Sequence, residues 1–278
     1  MVELTQQNDT NHHVLEDVHP TPSNRQIALN LVGVNDIHYP ITVTDRDGHS
    51  QQTIGKMSLG VDLPKLEKGA HMSRFVEVIS EGYGPLNLAK MPNLLKTVRE
   101  RLGADNAHVE IKFPFFLERT APVSGAKALM DYECTYSANV DGSGSTYKLG
   151  VRVPVASLCP CSKAISDYGA HNQRGYVDVQ VSVLDLENQI WISDLVEIAE
   201  NSASAPVYPI LKRPDERFVT MQAYDNPVFV EDIVREVAFQ LTRDERVMWF
   251  NVVTTNHESI HNHNVYGQVE WHRYRNGR

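Results

Sequence analysis

From Ile27 onward the apolar and β-branched residues come in short runs, IALNLVGV, YPITVTD, TIGKMSLGVDLP and MSRFVEVI, with Gly, Pro or Asp between them. Runs of that length predict strands, because branched and aromatic side chains suit a pleated, half-buried surface. The period then changes. In MPNLLKTVRERLG the residues Leu94, Leu95, Val98 and Leu102 recur on one helical face, and Gly103 stands where a left-handed C-cap belongs. AHVEIKFPFF and MDYECTYSANV return to strand character on either side of the loop TAPVSGAK, and the turn DGSGS closes the stretch.

The second half keeps the same rhythm. YKLGVRVPVASL and YVDVQVSVLDL alternate as strands, and WISDLVEIAENSA reads as a helix capped by Ser193. DNPVFVEDIVREVAFQL reads as a helix with Asn226 at the cap and Pro227 in the first position. Its apolar stripe is Val230, Ile233, Val234, Val237, Ala238 and Leu241. VMWFNVVTTN and VYGQVEWHRY end the chain as strands. Strands, helices and strands in each half predict an α+β fold of two tandem antiparallel sheet units with helices packed on one face. The expected units are residues 26–145 and 146–278, after a polar, aperiodic tail over residues 1–25 that is expected to be flexible.

Composition narrows the class. Of 278 residues, 41% are apolar and 22% charged, so the chain has the means to bury a core. No apolar run approaches the roughly 20 residues that span a bilayer, and the N-terminus has no basic and apolar leader pattern. A cytoplasmic protein without a membrane partner is expected. The 35 carboxylates outnumber the 26 Lys and Arg, which argues against a nucleic-acid partner, whose binding surface is normally basic. A small anion remains open to it where cations cluster locally.

Candidate chemistry concentrates in SLCPCSKAISDYGAHNQRG. Of the three cysteines, Cys159 and Cys161 flank one proline, too close for an easy disulfide, while Cys134 lies in a strand run. Thiolates bind zinc and similar metals, and His171, twelve residues after Cys159, adds an imidazole. The site reads either as a structural knuckle or packed thiols, or as an open catalytic sphere, since no second Cys pair exists to close it. His261 and His263, two apart in ESIHNHNVYG, point the same way in an extended segment. His257 and His272 read as ordinary surface or sheet residues, and His12 and His13 belong to the tail.

LKRPDERFVT is a solvated charged loop or a site for phosphate and metal: Lys212, Arg213 and Arg217 surround Asp215 and Glu216, with Pro214 stiffening the segment. Glu231 abuts the apolar stripe, where a buried carboxylate needs a partner. A guanine edge, with two donors in a plane, is one that fits.

CPCSKAISDYGAHNQRG, KRPDERFVT, NPVFVED, SIHNH and GAHMSRFVE together resemble the type IB GTP cyclohydrolase I family, from about residue 25 to the end. The resemblance implies a tunnelling fold, a homotetramer with active sites between subunits, and hydrolysis of GTP to 7,8-dihydroneopterin triphosphate and formate, the first step of folate synthesis. It implies a divalent metal, zinc, manganese or iron. Cys159 resembles the family's catalytic cysteine and metal ligand, with His171 and Glu216 completing the sphere, His261 close by, and Glu231 anchoring the purine. His261 and His263 are candidates for proton transfer. Lys163, Arg174, Lys212, Arg213, Arg217 and Arg74 are candidates for the triphosphate. Met221 stands where the family often has glutamate. Two other readings compete: a related nitrile reductase using Cys159 as nucleophile with a nicotinamide cofactor, and a non-catalytic metal-binding protein.

Overall fold

Alternation along the third strand shows how the layers arise. Ala107, Val109, Ile111, Phe113 and Phe115 are buried, and the residues between them face the other way, as the two-residue period of a strand requires. A computed structural model describes residues 19, 22, 24–46 and 48–274; nearly all of the expected tail, with His12 and His13, lies outside the described residues. Nine strands among them form one antiparallel sheet. They are β1 (Leu29–Thr44), β2 (Ser50–Leu63), β3 (Ala107–Thr120), β4 (Lys127–Asp141), β5 (Gly144–Leu158), β6 (Asn172–Val183), β7 (Ala205–Pro206), β8 (Val247–Asn256) and β9 (Val265–His272). Neighbours run β1-β2-β3-β4-β5-β6-β8-β9, and the short β7 pairs with β5.

Register turns the alternation into two faces. Met57, Ile111, Tyr136, Leu149, Val181, Phe250 and Trp271 align across seven strands on the side the helices cover. One residue along, the row reads Lys56, Lys112, Thr135, Gly150, Gln180, Asn251 and Glu270. A slip of one residue would exchange these rows, so burial of the apolar row holds the register.

The helices are α1 (Met72–Ser80), α2 (Met91–Leu102), α3 (Pro160–Ile165), α4 (Ile192–Asn201), α5 (Arg213–Asp225) and α6 (Val230–Arg243). Gly103 ends α2 in the left-handed region, φ 68°, as its position predicts. None is long and apolar enough to cross a membrane.

Several expectations are corrected. MSRFVEVI is helical, not a strand: Phe75, Val78 and Ile79 are buried while Val76 is exposed, the spacing of one helical face. Burying each such side chain is worth about 1.5–3 kcal/mol, against at most about 0.7 kcal/mol per residue by which β-branching disfavours helix. IALNLVGV and YPITVTD fall in one long strand, β1, whose register shifts between Val34 and Ile37. Asp36 at that bulge takes φ 57°, a conformation Asp tolerates. Its carboxylate accepts from Lys56 at 2.7 Å, which holds its pKa below the usual range.

LKRPDERFVT is largely the start of α5 rather than a loop. Ser193 and Asn226 are not N-caps: α4 follows Trp191, α6 follows Phe229, and Asn226 ends α5. The cap comes from the third helical residue. Asp194, Asp215 and Asp232 each reach back to accept the amide of the residue before the helix, Trp191, Lys212 and Phe229, at 3.1, 2.8 and 3.1 Å. That reach-back satisfies an orphan N–H without a short polar residue at the cap itself.

The first half runs as two strands, helices and two strands; the second begins and ends with a pair of strands too, but α3 separates β5 from β6 and β7 interrupts the helices. The sheet continues across residue 145 through a β4–β5 hairpin paired from Glu133 with Arg152 to Asp141 with Gly144.

Candidate active site

The cysteine motif sits where β5 ends. Cys159 precedes α3, and its amide donates to the His171 carbonyl at 3.1 Å, so the intervening loop doubles back onto its own start. Ser162 binds both ends: its amide donates to Cys159 Sγ at 3.4 Å, and its Oγ accepts from the His171 amide at 3.2 Å. The sequence-adjacent ligand candidates are thereby neighbours in space. Cys159 is half-buried, Cys161 is exposed, and burial of Cys134 pushes its thiol well above the ordinary range.

Three further segments meet this end of the sheet. Leu158 accepts at its carbonyl from the Val228 amide at 3.2 Å, so the residue before Cys159 is bonded three positions ahead of Glu231. Its own amide donates to Ser204 Oγ at 3.0 Å. Arg174 accepts at its carbonyl from the His257 amide at 3.0 Å, where β8 gives way to the histidine-rich connection. His171 Nδ1 lies 2.9 Å from Gln173 Oε1 and 3.4 Å from Ser259 Oγ. His261 and His263 stack, with ring centroids 5.2 Å apart; they share a side as expected, though both are exposed in a bent connection rather than an extended one.

The helix α5 is held from both ends. At its start Asp215 is fully buried and accepts from the amides of Val123, Ser124 and Lys212 at 2.7, 2.8 and 2.8 Å and from Ser124 Oγ at 2.6 Å. Burial opposes its ionisation, but the hydrogen bonds from Ser124, Lys212 and Val123 prevail and hold the carboxyl far below the usual carboxylate range. At its other end the Tyr224 carbonyl accepts from Lys163 Nζ, which also lies 4.2 Å from the Tyr224 ring centre. Between them Glu216, Lys212, Arg213, Arg217 and Met221 are exposed.

Glu231 corrects the sequence reading in one respect. It is exposed in the first turn of α6 rather than buried against the stripe, whose residues Val230, Ile233, Val234, Val237 and Leu241 are buried. Arg74 stands apart within the chain, lining a cavity of about 220 Å³ with His71, Asp62, Glu67 and Asp105 and with no other predicted site residue. A cavity of about 550 Å³ between His38, Lys56, Lys112, Arg152 and Asp178 likewise includes none of them.

Among the described residues no three His, Cys, Asp or Glu side chains gather as a metal cluster. Cys159 and His171 are nonetheless a fitting pair of donors, because the contacts of the imidazole with Gln173 and Ser259 both fall at Nδ1, on the side away from Nε2. Sequence reasoning missed Ser162, Gln173, Glu258, Ser259 and the anchoring role of Asp215. Gln173 and Glu258 lie within the cysteine and histidine segments, but only the fold sets Gln173 against the imidazole and Glu258 behind Gln173.

Comparison with known proteins follows the same lines. A family profile described as Type I GTP cyclohydrolase folE2 matches residues 15–267. The chain is 51% identical over 256 residues to the GTP cyclohydrolase FolE2 of Citrifermentans bemidjiense, covering 92% of this chain and 94% of that protein. It is 48% identical to the protein of the same name from Magnetococcus marinus, covering 92% and 96%. Among solved structures, a uricase from Bacillus fastidious superposes with a TM-score of 0.53 at 10% identity, over 88% of this chain and 94% of that one. A urate oxidase mutant from Bacillus sp. TB-90 gives 0.52 at 8%, over 88% and 99%. These last two are likenesses of fold alone.

Proposed function

The chain belongs to the Type I GTP cyclohydrolase FolE2 family, and from that membership we propose that it is a GTP cyclohydrolase I working at the end of the sheet where Cys159 and His171 meet. The reaction opens the guanine ring of GTP at C8 and releases formate, leaving 7,8-dihydroneopterin triphosphate, in the cytoplasm and within a homotetramer. The observation that carries the site is the closure of the cysteine loop, Cys159 amide to His171 carbonyl, beside the start of α6.

Cys159 and His171 are the residues to hold a divalent metal, zinc, manganese or iron, with Glu216 the third protein donor. Held there, a divalent ion would supply a water with its pKa lowered to about 7, the nucleophile that a neutral-pH hydrolysis needs. Glu231, on an exposed first turn, is free to accept the two donors of a guanine edge in bidentate fashion. Lys212, Arg213 and Arg217 line one stretch of α5 and suit a triphosphate; Arg174 is exposed beside the site, and Arg74 is a candidate only from another subunit. Lys163 is committed to Tyr224, so its role is to tie α3 to α5. His261 and His263, stacked and solvent-facing, are placed to exchange protons during ring opening. The unit boundary near residue 145 is part of the same reading, supported by the pairs of strands that begin and end each half, with helices between them.

Incubation with GTP and each of zinc, manganese and iron, followed by oxidation and pterin fluorescence, tests the assignment. A pterin and formate are expected. No pterin with any metal, or GTP-independent oxidation of a nicotinamide cofactor with a nitrile substrate, rules it out. Cys159→Ala is expected to lose turnover and weaken metal binding, and a fully active variant removes the site.

A further inference from the structure

Gln173 is buried, yet no charge, thiol or ring accounts for its place two residues after His171. Its side-chain oxygen lies 2.9 Å from His171 Nδ1. Its nitrogen lies 3.0 Å from Ser157 Oγ and 3.4 Å from Glu258 Oε1. The oxygen and nitrogen of an amide have nearly the same shape, so their orientation follows from what surrounds them. An ionised carboxylate only accepts. The nitrogen therefore belongs against Glu258, since turning the amide over would set two acceptor oxygens face to face and leave an N–H pointing at His171. With the oxygen toward Nδ1, that ring atom must carry the hydrogen. A neutral imidazole has one N–H, so Nε2 keeps its lone pair. Ser259 Oγ, 3.4 Å from Nδ1, adds a second acceptor on the same side.

On the reading of Cys159 and His171 as metal donors, we propose that Gln173 is a positioning residue that locks His171 in the Nδ1–H tautomer and so presents Nε2 to the metal. The amide also joins three segments. Ser157 is fully buried on β5 two residues before Cys159, Gln173 stands on β6, and Glu258 and Ser259 begin the connection that carries His261 and His263. The orientation of the imidazole and the seating of the histidine-rich connection thus share one side chain. Partners of this kind, accepting the hydrogen at the far nitrogen of a ligating histidine, typically change metal affinity by about 10–100-fold when removed.

The test begins with the metal-free full-length protein labelled with ¹⁵N-histidine, the His171 signals being assigned by their loss in His171→Gln. Long-range ¹H–¹⁵N correlation is expected to show a protonated Nδ1 and an unprotonated Nε2. An Nε2–H tautomer in the unsubstituted protein overturns the proposal, with no variant needed. Gln173→Met keeps the bulk and removes the acceptor; it is expected to lose the tautomer preference and bind cobalt(II), followed by its visible spectrum, about 10–100-fold more weakly. Gln173→Met with unchanged tautomer and cobalt affinity refutes the role. If Cys159→Ala and His171→Gln leave cobalt affinity unchanged, the metal reading falls instead, and with it the purpose assigned to the tautomer.

Discussion

The purine-anchor role proposed for Glu231 can be tested apart from the fold. Its side chain is exposed, so its removal costs the fold little, within about 0.5 kcal/mol for an exposed surface position. Glu231→Ala is therefore expected to keep its Tm and its metal while losing GTP affinity, by 100-fold or more for a lost bidentate charged contact of about 3 kcal/mol. Calorimetric titration with GTP against a thermal melt of the same sample checks both halves, and wild-type affinity in the variant removes the purine-anchor role. Sequence singled out the residue for a mistaken reason: next to Val230 and two short of Ile233 it looked buried, yet the helical turn carries it off the stripe. Cys159 and His171 were legible because loop closure is local, whereas Gln173 was not, because nothing in its letters says which way a buried amide faces.

At the scale of elements, α5 depends on Asp215. That carboxylate serves the helix start and the β3–β4 loop at once, through Lys212, Val123 and Ser124. Since its folded pKa is depressed, the stabilisation it gives is present above the unfolded value of about 3.9 and fades as pH falls toward the depressed folded value. Asp215→Asn is expected to melt below wild type at neutral pH, with the gap closing progressively below pH about 4. A gap independent of pH contradicts the account. Because Glu216, Arg213 and Arg217 ride on the same helix, turnover is expected to fall on the order of 10²-fold, the cost of an ångström-scale misplacement. The segment read as a loop, solvated or built for phosphate and metal, because proline and five charges dominate it; the structure puts that proline in the first turn of the helix, where its missing N–H costs no hydrogen bond.

At the scale of the molecule, a buried ion pair joins the halves. Arg119 of β3 donates to Glu200 of α4, and Tyr132 of β4 donates to the other oxygen at 3.1 Å. Burial pushes Glu200 up despite Arg119 and the hydrogen bonds. Arg119→Leu strands that carboxylate and is expected to cost about 3–5 kcal/mol at neutral pH. A raised acid accrues its cost as pH climbs from the unfolded value of about 4.3 through the folded one, so the penalty is expected to shrink near pH 4. Denaturant unfolding at pH 7.5 and pH 4 measures it; an equal loss at both assigns the effect to packing rather than charge.

Periodicity and local chemistry lie in the sequence itself: the strands, the α2 and α6 stripes, Gly103, and the cysteine loop with its histidine. These are decided by neighbours within a few positions along the chain. Tertiary structure decided what depends on distant partners: that MSRFVEVI coils because the core takes up Phe75, Val78 and Ile79, that Asp rather than Ser or Asn caps three helices, and that Gln173 faces His171. Burial and hydrogen-bond satisfaction are properties of the packed whole, and each outweighs the local preference it overrides.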